Sequence, residues 1–207
     1  MTDHKKILGQ ILTAKNGIQI NSVHFVSDEM FEKDENEILR FIGLSSYDPI
    51  FFSNEGLDYP ETPHSCPSLK RHGATICVKK NSKIDYLIFL KNHVQKESEI
   101  PIELQSDWRA MVQLIALLHE LGHVEDMQKS INFSFFEKPT VKLVEAEAYA
   151  YTYALNHLNN FGASIARDTL SASLYKFDNS EFEFEKRLIR LIFQSIGKDR
   201  LYKWATA

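Results

Sequence analysis

The sequence predicts an α+β fold: a small antiparallel sheet packed on a buried helix bearing His119-Glu120-Leu121-Gly122-His123 and on a glutamate-bearing helix, with a helical C-terminal tail. Three observations lead there. Residues 74–90 alternate, turn, and then run almost continuously apolar, as two paired strands do. From Trp108 to Leu121 the chain is apolar around most of a helical circumference, which marks a central helix. Residues 140–159 and most of the chain after 163 carry apolar side chains at helical spacing.

Composition sets the frame. A chain of 207 residues is long enough for one domain, 1–207, with a sizeable core. Hydrophobic residues make up 43% and charged residues 25%, ordinary for a globular protein, and a net charge of −4 argues against nucleic acid or an anionic membrane as partner. No apolar run reaches the length of a membrane span, and Met1 to Gly17 lacks a signal-peptide core. With only Cys66 and Cys77 there is no disulfide framework, so the expected setting is cytoplasmic with reduced thiols.

The elements follow in order. Residues 3–16 read as a helix with Ile7, Leu8, Ile11 and Leu12 on one side and Gly17 as its stop. Ile18 to Val26 alternates weakly, as a strand does, and a second helix runs from Ser27 or Asp28 to Ile42, before Gly43. These make an N-terminal lobe over 1–43. Residues 44–72 are irregular, and with Cys77 they supply His64, Cys66 and His72; that spacing matches no zinc knuckle, so they read as loop and strand residues. Strands over 74–79 and 84–90 flank an Asn81-Ser82-Lys83 turn, and the hairpin either offers an edge to an extended peptide or only supports the next helix.

Ser106-Asp107 offers a cap for the next helix, where Trp108, Met111, Val112, Leu114, Ile115, Leu117, Leu118 and Leu121 supply the buried surface. A helix from Thr140 to Asn159 completes a core over 74–158. The tail reads as a helix over 163–176, a capping box at Ser180 and Glu183 opening a helix that Gly197 ends, and a last turn from Leu201 to Trp204.

The chemistry resides in His119-Glu120-Leu121-Gly122-His123, an HExxH motif. Histidines four apart on a helix project to one side and can chelate one cation without bending the backbone. Glu120 sits at the rim of that face, where its carboxylate can reach a water on the metal rather than the metal itself and act as general base. Zn2+ is the expected ion, because it takes nitrogen and oxygen ligands tetrahedrally. It needs a third protein ligand. The position six residues past His123 is Lys129, so the candidates are Glu145 and Glu147. Two residues apart on a helix is about 200°, so only one can face the metal. Glu147 shares its side with Leu143, Ala150, Tyr151, Ala154 and Leu158, an apolar stripe; Glu145 shares a more polar one with Val141, Ala148, Tyr149, Thr152 and Asn156. A carboxylate on the buried stripe has the greater need of a partner, which selects Glu147 and keeps Glu145 as the alternative.

At these residues the chain resembles the gluzincins, the glutamate-ligand zinc peptidases, and within them the ImmA/IrrE-like group. That group pairs an HELGH-type helix with a following E-x-x-A-(N/D)-x-(F/Y)-A helix. Glu147, Ala150, Tyr153 and Ala154 fit, whereas Tyr151 stands where Asn or Asp is usual; Glu145-Ala146-Glu147-Ala148 also fits the group's E-x-E-A form. The resemblance spans about residues 74–158 and implies a small cytoplasmic metallopeptidase that hydrolyses a protein or peptide substrate, with His119, His123 and Glu147 on zinc and Glu120 as base. The rival is a non-catalytic, zinc-stabilised interaction module, for which Glu120 would have no use. His157, Arg167, Tyr149 and Tyr175 are of types that stabilise an oxyanion, but the sequence singles out none of them.

Overall fold

A computed structural model describes residues 3–13, 22–55, 72–94 and 97–207. The described residues pack as two compact units, one within 3–51 and 72–120, the other within 52–55 and 121–207.

In the first unit, α1 (His4–Thr13) buries Ile7, Leu8, Ile11 and also His4, whose Nδ1 lies 3.2 Å from the Asp107 carboxylate. The proposed stop at Gly17 and the first residues of the next strand lie outside the described residues; β1 is described over Ser22–Val26. The single helix expected up to Ile42 is two, α2 (Asp28–Phe31) and α3 (Glu35–Phe41). Two side-chain caps explain the break. Ser27 accepts the Met30 N–H and Asp34 accepts the Glu37 N–H, at 3.2 and 2.9 Å, and Asp34 is itself extended and so cannot continue a helix.

The sheet contains β2 (Asp48–Pro49), β4 (Gly73–Lys80) and β5 (Lys83–Lys91), in the order β1-β5-β4-β2. β4 and β5 form the expected antiparallel hairpin, with Thr75 opposite Ile88. β1 lies parallel on the other side of β5, so the sheet is mixed rather than wholly antiparallel. The hairpin turn places Asn81 and Ser82 at φ of 48° and 66°, two successive left-handed residues, whose twist suits a two-residue connection.

One face of the sheet carries Ile76, Val78, Leu87 and Phe89, which form a core with Val26, Ile38 and Leu39. Strand alternation turns Gly73, Thr75 and Cys77 to the opposite face, where Thr75 meets Glu120 of α4 (Ile102–Lys129). α4 starts ahead of Ser106-Asp107, with Ile102 and Leu104 exposed in its first turns, so those two residues are helical rather than its cap. Of the apolar circumference read from the sequence, Met111, Leu114, Leu117, Leu118 and Leu121 are nearly inaccessible, whereas Trp108, Val112 and Ile115 are only partly buried. Helix α4 runs unbroken for 28 residues, and Gln113 donates from its side chain to the Lys91 carbonyl at 2.9 Å.

In the second unit α4 ends at Ser130, which adopts φ 50° so that the Ile131 N–H can reach back to the Asp126 carbonyl. A three-stranded sheet of β3 (Ser53–Asn54), β6 (Phe133–Ser134) and β7 (Thr140–Val141) follows in the order β3-β7-β6. Thr140 and Val141 are therefore strand, and the glutamate helix α5 spans Leu143–Asn160. Beyond it lie α6 (Ser164–Tyr175), α7 (Glu183–Ile196) and α8 (Lys198–Ala205). α7 packs on α5 and α8 on α6. The capping box is not made: the Ser180 hydroxyl donates instead to buried Glu185, and Phe182 stands at the cap. Among the described residues no helix is long and apolar enough to cross a membrane.

Candidate metal centre

His119 and His123 stand one turn apart on the uninterrupted α4, which puts both rings on one side of the helix. Glu147, in the second turn of α5, completes the group: one ligand atom from each of the three lies within 4.8 Å of the others. His123 Nε2 is 3.6 Å from Glu147 Oε1, and both side chains are half-buried. A tetrahedral ion with bonds of about 2.1 Å holds neighbouring ligand atoms about 3.4 Å apart, close to the His123–Glu147 spacing. The group can hold a metal ion, and among the described residues no fourth histidine, cysteine or carboxylate joins it.

The closeness of α4 and α5 has a local cause. A Cβ built on Gly122 would lie 2.7 Å from Ala150 Cα, 3.1 Å from the Ala150 carbonyl oxygen and 3.1 Å from Tyr153 Cβ. The bare α-carbon between the two histidines is therefore what brings the Glu147 helix within ligand distance. Ala146, Ala150 and Ala154, all inaccessible, keep the facing surface shallow. Glu145 points elsewhere. Its carboxylate accepts from Arg187 of α7 at 2.5 Å, an ion pair that occupies it away from the histidines.

Glu120 is buried, only 6% exposed, on the strand side of α4. Thr75 Oγ1 donates to its Oε2 at 2.8 Å and also lies 3.3 Å from its backbone carbonyl. The hydroxyl has one proton, and the shorter contact to a charged acceptor is the stronger. A Cβ on Gly73 would fall 2.8 Å from Glu120 Cγ and 3.0 Å from Oε1.

One turn beyond His123, the fully buried Asp126 carboxylate accepts from the backbone and side-chain amides of Asn132, both at 2.8 Å. Burial pushes its pKa up, against the lowering effect of those bonds and of His123. This pair fastens the end of the metal helix to the chain leading into β6. Phe133 then sets its ring perpendicular to the His123 imidazole, at 6.4 Å between centroids.

None of the four groups considered for oxyanion stabilisation belongs to the three-residue group. The Tyr149 hydroxyl donates to Glu125 at 3.2 Å, and His157 stacks on Tyr153 at 3.9 Å. Arg167 donates to Asn159 and Asp168 beneath Trp204, and Tyr175 packs near Phe193 and Tyr202. His64 and Cys66 lie outside the described residues. Cys77 is buried in β4, where burial and nearby Asp85 push its thiol up to about 12, and it does not belong to the three-residue group.

The residues whose roles sequence reasoning missed are Gly73, Thr75, Gly122, Asn132 and Arg187. Only Gly122 had a visible signal, its place inside the motif. No family model matches the chain, and neither a curated protein nor a solved structure matches it.

Proposed function

We propose that the chain is a zinc-dependent metallopeptidase of gluzincin type, with His119, His123 and Glu147 as metal ligands and Glu120 as general base. The observation that carries this reading is the three-donor group with a buried carboxylate on the residue adjoining one of its ligands. Two neutral imidazoles and one carboxylate form a donor set suited to Zn2+, and three protein donors leave a coordination position for chemistry. A zinc ion held there would supply Lewis acidity, acidifying a water molecule and polarising a peptide carbonyl.

The chain's own part is then specific. His119 and His123 would hold the ion through one helix face, and Glu147 would bring the negative charge that partly neutralises it. Glu120 takes a proton from the attacking water and can return it to the leaving amine. The β4 strand supports a substrate of extended peptide: among the described residues, its Gly73–Ile76 stretch has no strand partner on the side away from β5. A peptide added there would run along the strand that holds Glu120. Glu120 favours catalysis over a purely zinc-stabilised interaction module, since a structural ion has no use for a base.

Elemental analysis of wild type, Glu147→Ala and Glu145→Ala tests the ligand set. One zinc per chain in wild type and Glu145→Ala, with loss in Glu147→Ala, is expected. A metal-free wild type would refute the proposal. Zinc retained on Glu120→Gln with peptide cleavage abolished would then assign the base.

A further inference from the structure

Glu120 does not hold its own place, and we propose that Thr75 is the residue that positions it, with Gly73 as the gap that makes this possible. The inference rests on the metallopeptidase reading and adds a residue to it. A glutamate has three side-chain torsions, and helix geometry fixes only where its Cβ starts. A base useful to a nearby metal must keep its carboxylate in one orientation, since small displacements of a reacting group are costly.

Two residues of β4 remove that freedom. Thr75 binds Oε2 at 2.8 Å. Gly73, two residues earlier on the same strand face, admits Cγ and Oε1 to a space that a methyl group would fill. The strand is paired along this length, with Gly73 opposite Leu90 and Thr75 opposite Ile88, so neither contact depends on a loop. It is the hydroxyl of Thr75, not its methyl, that meets the carboxylate. The same bond supplies a donor to a carboxylate that is otherwise expensive to bury.

A structural role and a positioning role make opposite demands on this residue. Valine keeps the shape of threonine and lacks the hydroxyl; serine keeps the hydroxyl and lacks the methyl. The test uses the full chain loaded with Co2+, and the probe is acetohydroxamic acid, titrated through the visible absorption of the cobalt. Binding of this acid to the metal gives its proton to the base, so affinity reports the base directly. Glu120→Gln and Thr75→Val are expected to weaken binding by about 10- to 100-fold, and Thr75→Ser to leave it as in wild type. Gly73→Ala should behave as Thr75→Val does.

Wild-type affinity in Thr75→Val, alongside weakened binding in Glu120→Gln, would overturn the assignment of Thr75 and leave the base in place. Absence of cobalt or hydroxamate binding in wild type, or no effect of Glu120→Gln, would overturn the metallopeptidase reading and the positioning role with it. Urea unfolding of the metal-free proteins separates fold from site: a Thr75→Val protein as stable as wild type, yet impaired toward the probe, supports positioning.

Discussion

Replacing Gly122 by alanine should damage the metal centre more than the fold. The new Cβ would sit 2.7 Å from Ala150 Cα, and this neighbour is main chain, so no rotamer change relieves it. Carbon atoms in contact prefer about 3.5–4.0 Å, which requires α5 to withdraw by roughly 1 Å at that point. Glu147 lies one turn earlier on the same helix and moves with it. A withdrawal of that size stretches the 3.6 Å gap between His123 and Glu147 beyond what one ion bridges without strain. The fold feels two opposing effects. Overpacking costs about 1–3 kcal/mol, while alanine is better than glycine in a helix by about 1 kcal/mol. The metal-free protein should thus lose at most about 2 kcal/mol in urea unfolding. Zinc affinity, measured against a chromogenic chelator, should fall at least about tenfold, in line with what displaced metal-site partners cost. Wild-type zinc affinity in Gly122→Ala would refute the argument that this close approach sets the ligand distance.

Other expectations follow from the same structure. Ser82→Gly turns the β4–β5 connection into Asn-Gly; relief of a left-handed residue outweighs glycine's extra chain entropy, for a gain of about 0.5 kcal/mol in urea unfolding, and a loss instead would contradict the turn geometry. Phe89 is wholly buried at the centre of the first unit's core, so Phe89→Ala should cost about 3–5 kcal/mol; a cost near that of a surface change would mean the core lies elsewhere. With its thiol pushed up to about 12, Cys77 is about one part in ten thousand thiolate at pH 8. In a Cys66→Ser protein it should therefore resist thiol reagents until urea unfolds the chain, and rapid labelling in the native state would count against its burial.

What could be read from the sequence was what repeats with a regular period. The apolar circumference of α4, the alternation of β4 and the stripe beneath Glu147 are each local patterns, and the helix rotation between Glu145 and Glu147 was enough to frame the choice between them. Glu147 is the one that stands with the two histidines, while Glu145 pairs with Arg187, which lies far along the chain. Long-range pairing had no such signature. The parallel docking of β1 on β5 and the grip of Thr75 on Glu120 depend on segments brought together only by folding. Strands of two residues, such as β3, β6 and β7, are too short to show a period at all, which is why Thr140 and Val141 read as helix. The Ser180–Glu183 spacing fitted a cap, but a buried acid two residues further on, Glu185, took the hydroxyl.

All three side chains of the candidate metal group fall within residues 119–147, on α4 and α5, and among the described residues no other joins them. An ion bound there closes a short loop, and closing a short loop restricts little of the unfolded chain. The consequence is a local cross-brace rather than a keystone. On chelation, amide protons of the last turns of α4 and the first turns of α5 should exchange faster, while those of β4 and β5, bonded around Val78 and Leu87, keep their protection.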